Sequence, residues 1–306
     1  MNLNESKLWK EIHQQDECVR ECLKYNLPIL KEIAFNIKQR NIKNIIFAAR
    51  GSSEHAAQVA KYVFEIYTDM LVNIAAPSIT TCYQGHVNYQ NALVVGISQS
   101  GGAQDVYQVM KKCVDDGGIC VSITNEPECL MSTIGHYQLN NHCGIETSIT
   151  AAKSYITQLT ILIALAYQIS ENQELFNLLE QLPDIIKDSF QLENQVQNVI
   201  PFFRNSEHLL IFGRGLLYGL VQESELKIQE TSYLDARCYS ASDYQHGPIA
   251  TSLSFVPTIF FIADKQTDKS IIQLHQRLKE EKNIFSLIIS NKDNISELGD
   301  LSIKIP

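Results

Sequence analysis

Residues Asn91–Val106 read NALVVGISQSGGAQDV. Ala92 to Ile97 is an apolar run, rich in Val and too short for a helix, which predicts a buried strand. Ser98-Gln99-Ser100-Gly101-Gly102 breaks the run, and an acid-bearing helix is expected near Gln104-Asp105. Three hydrogen-bonding side chains and two glycines between a strand end and a helix N-terminus make a pocket suited to an anion. Exposed N–H groups point at such a ligand, and the helix dipole adds about 0.3–1 kcal/mol for a negative charge. The turn carries no lysine, so neutral donors would hold a phosphate, and a P-loop is excluded by its missing lysine and spacing. Taken alone, the same residues also describe an ordinary strand-to-helix turn in which Ser and Gly serve as cap and turn formers.

The chain has 306 residues, 45% hydrophobic and 19% charged, the balance of a globular protein with a full core. A net charge of −9 and a pI near 5.4 argue against nucleic acid or an anionic membrane as main partner. A local nest of donors can still hold an anionic metabolite. Met1 to Lys10 is polar with no apolar h-region, and Leu159 to Tyr167 is too short to span a bilayer, so a cytoplasmic location is expected. The cysteines (Cys18, Cys22, Cys82, Cys113, Cys120, Cys129, Cys143, Cys238) show no CxxC spacing, which predicts reduced core thiols and no metal site. Cys18 and Cys22 share a helix face, but two thiols alone do not bind a metal. Neither a Walker loop nor GxGxxG is present, so a nucleotide-dependent kinase or dehydrogenase is rejected and no cofactor is expected.

Helices are expected over residues 5–24, with Trp9, Ile12, Val19 and Leu23 as anchors, and over Pro28–Gln39. A strand, Asn44–Ala49, runs into a second donor turn, Arg50-Gly51-Ser52-Ser53. The next helix carries Ala56, Ala57, Ala60, Val63, Phe64 and Tyr67 at helical spacing. Two such turns at strand ends are expected where an open parallel sheet binds its ligand. Further strands are read at Gly118–Ile123 and Tyr137–Asn140, and a long helix opens at Glu146 and runs to about Ser170, with Lys153 snorkelling or functional. Residues 171–200 are polar and helical with Pro183 as a break. Then the pattern repeats as a strand, Leu209–Phe212, a turn, Gly213-Arg214-Gly215, and a helix, Leu216–Leu234. IIFAARGSS and LLIFGRGLL read as a tandem duplication. The expected division is 1–40 (lead-in helices), 41–190 (first sandwich) and 191–306 (second sandwich).

Glu223, Lys227 and Glu230 follow i, i+4, i+7 on the Leu216 helix, in the sector of Leu216 and Leu220 and opposite Gln222, Glu225 and Gln229. Charges on an apolar face are costly unless paired or used. They form either a buried ion network or a proton-shuttling carboxylate beside a lysine, in a site dry enough to raise the carboxylate pKa.

In order along the chain, LWKEIHQQDE, the SQSG turn, the Glu146–Lys153 segment and ESELKIQETSYLDARCYSASDYQHGPIA resemble the SIS (sugar isomerase) domain family, and within it the isomerase domain of glucosamine-6-phosphate synthase. The resemblance implies an α/β fold of two tandem SIS subdomains, each a parallel flavodoxin-like sheet flanked by helices (an α/β/α sandwich), the second short at its C-terminus. It assigns a sugar phosphate to Ser52, Ser53, Ser98, Gln99, Ser100, Gly101 and Ile149. It makes Glu230 the carrier of a proton between C1 and C2, with Lys227 orienting it or acting on the anomeric carbon and Glu223 in support. His246, in the HGP segment, would assist ring opening from the neighbouring subunit of a homodimer. Asp16 stands where the lead-in pattern has Pro, and Ala103 and Ala151 stand where hydroxyl residues are found. The glutaminase domain, a C-terminal covering helix and a tail lysine have no counterpart here, so one face of the second sheet is expected to need another cover, such as a second subunit. The implied function is a phosphosugar isomerase, deaminating or isomerising an amino-sugar 6-phosphate of the glucosamine 6-phosphate/fructose 6-phosphate type. The alternatives are a non-catalytic sugar-phosphate sensor and a fructosamine-6-phosphate deglycase. Residues 1–40 show no basic recognition helix for DNA.

Overall fold

The computed structural model describes residues 5–254, 256–294 and 296–306, so the polar start Met1–Asn4 lies outside the described residues. The chain divides between Ile186 and Lys187 into two compact units.

In the first unit, α1 (Lys7–Ile12) and α2 (Gln15–Gln39) lead in. The expected break before Pro28 is absent: the chain turns at His13–Gln14, and α2 runs through Pro28. A proline inside a helix removes one N–H bond and crowds the carbonyl four residues back. Val19, Cys22, Leu30, Ile33, Ala34 and Ile37 are buried on both sides of it, and their packing outweighs that loss. There follow β1 (Asn44–Ala48), α3 (Ser52–Tyr67), β2 (Leu71–Ile74), α4 (Ser78–Thr81), β3 (Ala92–Ile97), α5 (Gln104–Asp115), β4 (Ile119–Thr124), β5 (Tyr137–Asn140) and α6 (Lys153–Ser170). The strands form one parallel sheet in the order β2-β1-β3-β4-β5. β3 and β4 are buried along their whole length, as central parallel strands covered on both faces must be. One face carries Ala48, Ala92 and Val94 against Val106, Val109, Met110 and Cys113 of α5. The approach is close enough that a Cβ on Gly96 would meet the Met110 sulfur at 2.3 Å. Phe47 alternates to the opposite face and meets Phe64 of α3 edge-on, at 5.7 Å between ring centroids. On that side α6 packs against α2 and α3. β2, which sequence patterning did not single out, is a short edge strand with one buried residue, Val72.

Next come α7 (Gln173–Ser189), which continues through Pro183, and α8 (Glu193–Val199). Pro183 does not break α7, because it belongs to the buried stripe Leu175, Leu179, Pro183 and Ile186.

The second unit contains β6 (His208–Gly213), α9 (Tyr218–Ser232), β7 (Asp235–Ser240), α10 (Ala241–Tyr244), β8 (Thr258–Phe261), α11 (Asp268–Lys282), β9 (Ser286–Ser290) and β10 (Leu301–Lys304), in the parallel order β10-β9-β8-β6-β7. Leu210 and Phe212 face Ile271, Leu274 and Leu278 of α11, whereas Leu209 and Ile211 face Val221 of α9. Val199 of α8 covers Leu287 and Ile303, so part of the expected uncovered sheet is closed by the chain itself. Counted from its own first strand, each unit has the order 2-1-3-4-5. This is the doubly wound arrangement in which ligands bind at the carboxyl ends of strands 1 and 3.

Candidate functional site

At the switch point of the first unit, two donor turns stand side by side because β1 and β3 pair in register, Ala48 opposite Gly96. In the β3–α5 turn, Ser98 Oγ accepts the Gly101 N–H at 3.2 Å and Ser100 Oγ accepts the Gly102 N–H at 3.3 Å. Each hydroxyl keeps its own hydrogen for a ligand. Gln99 is half-buried, and its carbonyl accepts the Asn125 N–H at 2.9 Å, which ties the turn to the end of β4. Gly101 has φ +63°, and a Cβ there would lie 2.2 Å from the Cys129 sulfur, so only glycine fits. Ala103 takes the N-cap position of α5 and supplies no side-chain cap. In the β1–α3 turn, Ser52 and Ser53 are the first two residues of α3, with Ser53 buried.

The two turns are bridged by a pair that sequence reading missed. Arg50 Nε donates to Asp105 Oδ2 at 2.6 Å, and its Nη2 donates to the same oxygen. The signal was present as a basic residue after one strand and an acid in the first turn of the next helix. Their 55-residue separation hid the contact.

The segment between β5 and α6 is held by two glutamates. Glu146 Oε1 accepts the N–H groups of Ala152, Lys153 and Ser154 at 2.9, 2.7 and 3.2 Å, which caps α6 from a remote position. Thus Glu146 does not open the helix; the helix starts at Lys153. Glu11 of α1, the glutamate of the KEI lead-in, is buried and accepts Thr147 N at 2.5 Å, Thr147 Oγ1 at 3.0 Å and Ser148 N at 3.2 Å. Burial raises the Glu11 pKa, but hydrogen bonds from Ser148 and Thr147 outweigh it, and the net shift is downward. Lys153 does not snorkel. It is buried and donates to Gln14 Oε1 at 2.9 Å and to the Ile145 carbonyl at 3.0 Å. Ile149, on the segment so held, is 98% exposed.

In the second unit, Lys227 Nζ lies 2.8 Å from Glu230 Oε2 and 3.3 Å from Glu223 Oε1. The expected trio is therefore assembled, opposite Glu225 and Gln229 as read, although that side of α9 is not the one that meets the sheet. Tyr218, Val221 and Ile228 meet the sheet, and Glu225 beside them receives the Cys238 N–H at 3.2 Å, so the acid–lysine–acid row points away from the sheet. Exposure rises along the row, from 5% for Glu223 to side-chain values of 23% for Lys227 and 31% for Glu230. With its side chain 31% exposed, the Glu230 carboxyl does not have the dry setting expected for it in this unit. His246 follows α10, is exposed, and makes no side-chain hydrogen bond among the described residues.

The second switch point is built differently. Asp264 accepts the Gln266 N–H at 3.1 Å and the Thr267 hydroxyl at 2.9 Å, Asp268 accepts the Asp264 N–H at 3.1 Å, and Lys292 pairs with Asp268. At this turn the hydrogen bonds are taken by the chain's own carboxylates, unlike the turn after β3. Among the described residues no group of three or more His, Cys, Asp or Glu side chains could hold a metal, and no helix is long and apolar enough to cross a membrane. All eight cysteines are free; burial pushes the Cys143 thiol up to about 12.

Comparison with known proteins was consistent with this geometry. Residues 39–167 match the SIS domain. A glutamine–fructose-6-phosphate aminotransferase (isomerizing) of Wigglesworthia glossinidia brevipalpis is 30% identical over 95% of this chain and 51% of its own length. The chain thus spans about half the length of the curated relatives it matches. Among solved structures, the C-terminal domain of glucosamine-fructose-6-phosphate aminotransferase from Francisella tularensis superposes with a TM-score of 0.87 at 22% identity, over 98% of this chain and 89% of that one. Glucosamine-6-phosphate deaminase from Thermotoga maritima does so with a TM-score of 0.75 at 21% identity, over 98% and 88%. At these identities the two structures bear on the fold alone. Residues 39–167 are thus the part of the chain that is identified as a SIS domain.

Proposed function

We propose that the protein is a phosphosugar isomerase acting on an amino-sugar 6-phosphate with release of ammonia. The observation that carries this reading is Lys227 held between Glu223 and Glu230, at 3.3 and 2.8 Å. Pairs of this kind stabilise an exposed helix by only about 0.3–0.5 kcal/mol each, so stability alone is a weak reason for a nearly buried acid beside them. In the proposed reaction the phosphate rests on Ser98, Gln99, Ser100 and Gly101, with Ser52 and Ser53 beside it and the Ile149 segment as cover. Glu230 takes the C2 proton of the open-chain 2-amino aldose and returns it to C1, while one amine proton passes to O1, so that C1 becomes a hydroxymethyl group. One water then adds to the resulting C2 imine and ammonia leaves, giving the ketose. Lys227 fixes the Glu230 carboxylate, Glu223 anchors Lys227, and His246 comes from a second copy of the chain to open the ring.

The test is to incubate the protein with glucosamine 6-phosphate and follow ammonia and fructose 6-phosphate beside Glu230→Gln. Turnover that falls about 10²–10⁴-fold in the variant supports the reading, and equal turnover in both sinks it. A second reading, a sugar-phosphate sensor, is favoured by Ala103, where α5 lacks a side-chain cap, and by Ala151. Sugar-phosphate binding with no turnover would select it.

A further inference from the structure

We propose that Arg50 is the cation of the phosphate site and sets its preference for a doubly charged ligand; this rests on the phosphate binding at the Ser98–Gly101 turn. The turn has no basic residue, and the first helical turn beyond it carries an acid, Asp105. That carboxylate stands at the helix N-terminus where a phosphate would lie, and left unpaired it would repel one. Arg50 cancels it. Both bonds to Asp105 go to Oδ2, from Nε and Nη2, while Asp105 Oδ1 takes the Val106 N–H at 2.9 Å. A guanidinium has five N–H donors, so three of Arg50's remain after the two given to Asp105. Its side chain is 61% exposed, hence reachable by a ligand. Arg50 and Ser98 each follow by two residues the in-register pair Ala48 and Gly96. Asp105 therefore acts as the anchor that aims a charged, planar donor group beside the hydroxyl donors, a role lysine would fill less well.

The experiment measures fructose 6-phosphate affinity by calorimetry at pH 7.5 and at several salt concentrations for the unaltered chain, Arg50→Gln, Arg50→Lys and Asp105→Asn. At this pH the phosphate is largely dianionic. Arg50→Gln is expected to weaken binding about 10–100-fold and to flatten the salt dependence. Arg50→Lys should recover part of the affinity. Asp105→Asn should weaken binding far less than Arg50→Gln, because it removes a repelling charge together with the anchor that aims Arg50. If Arg50→Gln and Asp105→Asn weaken binding equally, Arg50 is a tie between turns and the proposal is overturned. An unchanged affinity in Arg50→Gln overturns it too. Failure of the unaltered chain to bind fructose 6-phosphate would remove the phosphate-site reading itself, a separate and recognisable outcome.

Discussion

The Glu11 carboxylate accepts the Thr147 N–H at 2.5 Å across 136 residues of sequence, and through this bond the first helix fixes the segment that leads to Ile149. The Glu11 pKa lies below its ordinary value. A depressed carboxyl stabilises the fold above its unfolded pKa, and that stabilisation is lost as pH falls through the lower folded value. Acidification through that lowered value, which lies below 4.5, should therefore release residues 145–150 before the sheet unfolds. Amide exchange at Thr147 and Ser148 should rise steeply there, and Glu11→Gln should show the raised exchange already at neutral pH.

Lys153 places an ammonium group in the interior on two oxygens, those of Gln14 and Ile145. Lys153→Ala removes both bonds and the buried stem; because Gln14 and Ile145 are exposed and water can take their oxygens, it should cost about 1–2 kcal/mol, read as a lower denaturant midpoint at unchanged slope.

Much of the fold was readable because central strands buried on both faces have a plain signature, as in Ala92–Ile97 and Leu209–Phe212. The edge strand β5 was read as well, at Tyr137–Asn140, but β2 and β7 are less plain. β2 has one buried residue, and β7 carries Asp235 and Arg237 in a row of mixed polarity. The proline breaks at Pro28 and Pro183 were misplaced because local propensity cannot register the tertiary packing that overrides it. In the site, the acid–lysine–acid row was legible from helical spacing, but which side of α9 meets the sheet was not, since Glu225 and Gln229, read as pointing away from the apolar side, bond to β7. Arg50–Asp105 and Glu11–Thr147 join residues that only the folded chain brings together.

Ala103 leaves α5 without a side-chain cap at the phosphate turn. Ala103→Ser should stabilise the unit by about 0.5–1 kcal/mol, seen as a higher Tm, and should also tighten sugar-phosphate binding by adding a donor.

Gly101 combines φ +63° with the Cys129 sulfur in the place of a Cβ. Gly101→Ala should cost about 1–3 kcal/mol and weaken sugar-phosphate binding. Adding Cys129→Ala should restore only part of the stability, because the backbone strain persists.

The central claim is that Glu230 carries the proton between C1 and C2. It is tested most directly by incubating the protein with fructose 6-phosphate in deuterated water and following deuterium at C1 by NMR. The account predicts wash-in for the unaltered chain and loss of about 10²–10⁴-fold in its rate for Glu230→Gln, with sugar-phosphate affinity retained. Equal exchange in the two proteins would contradict it.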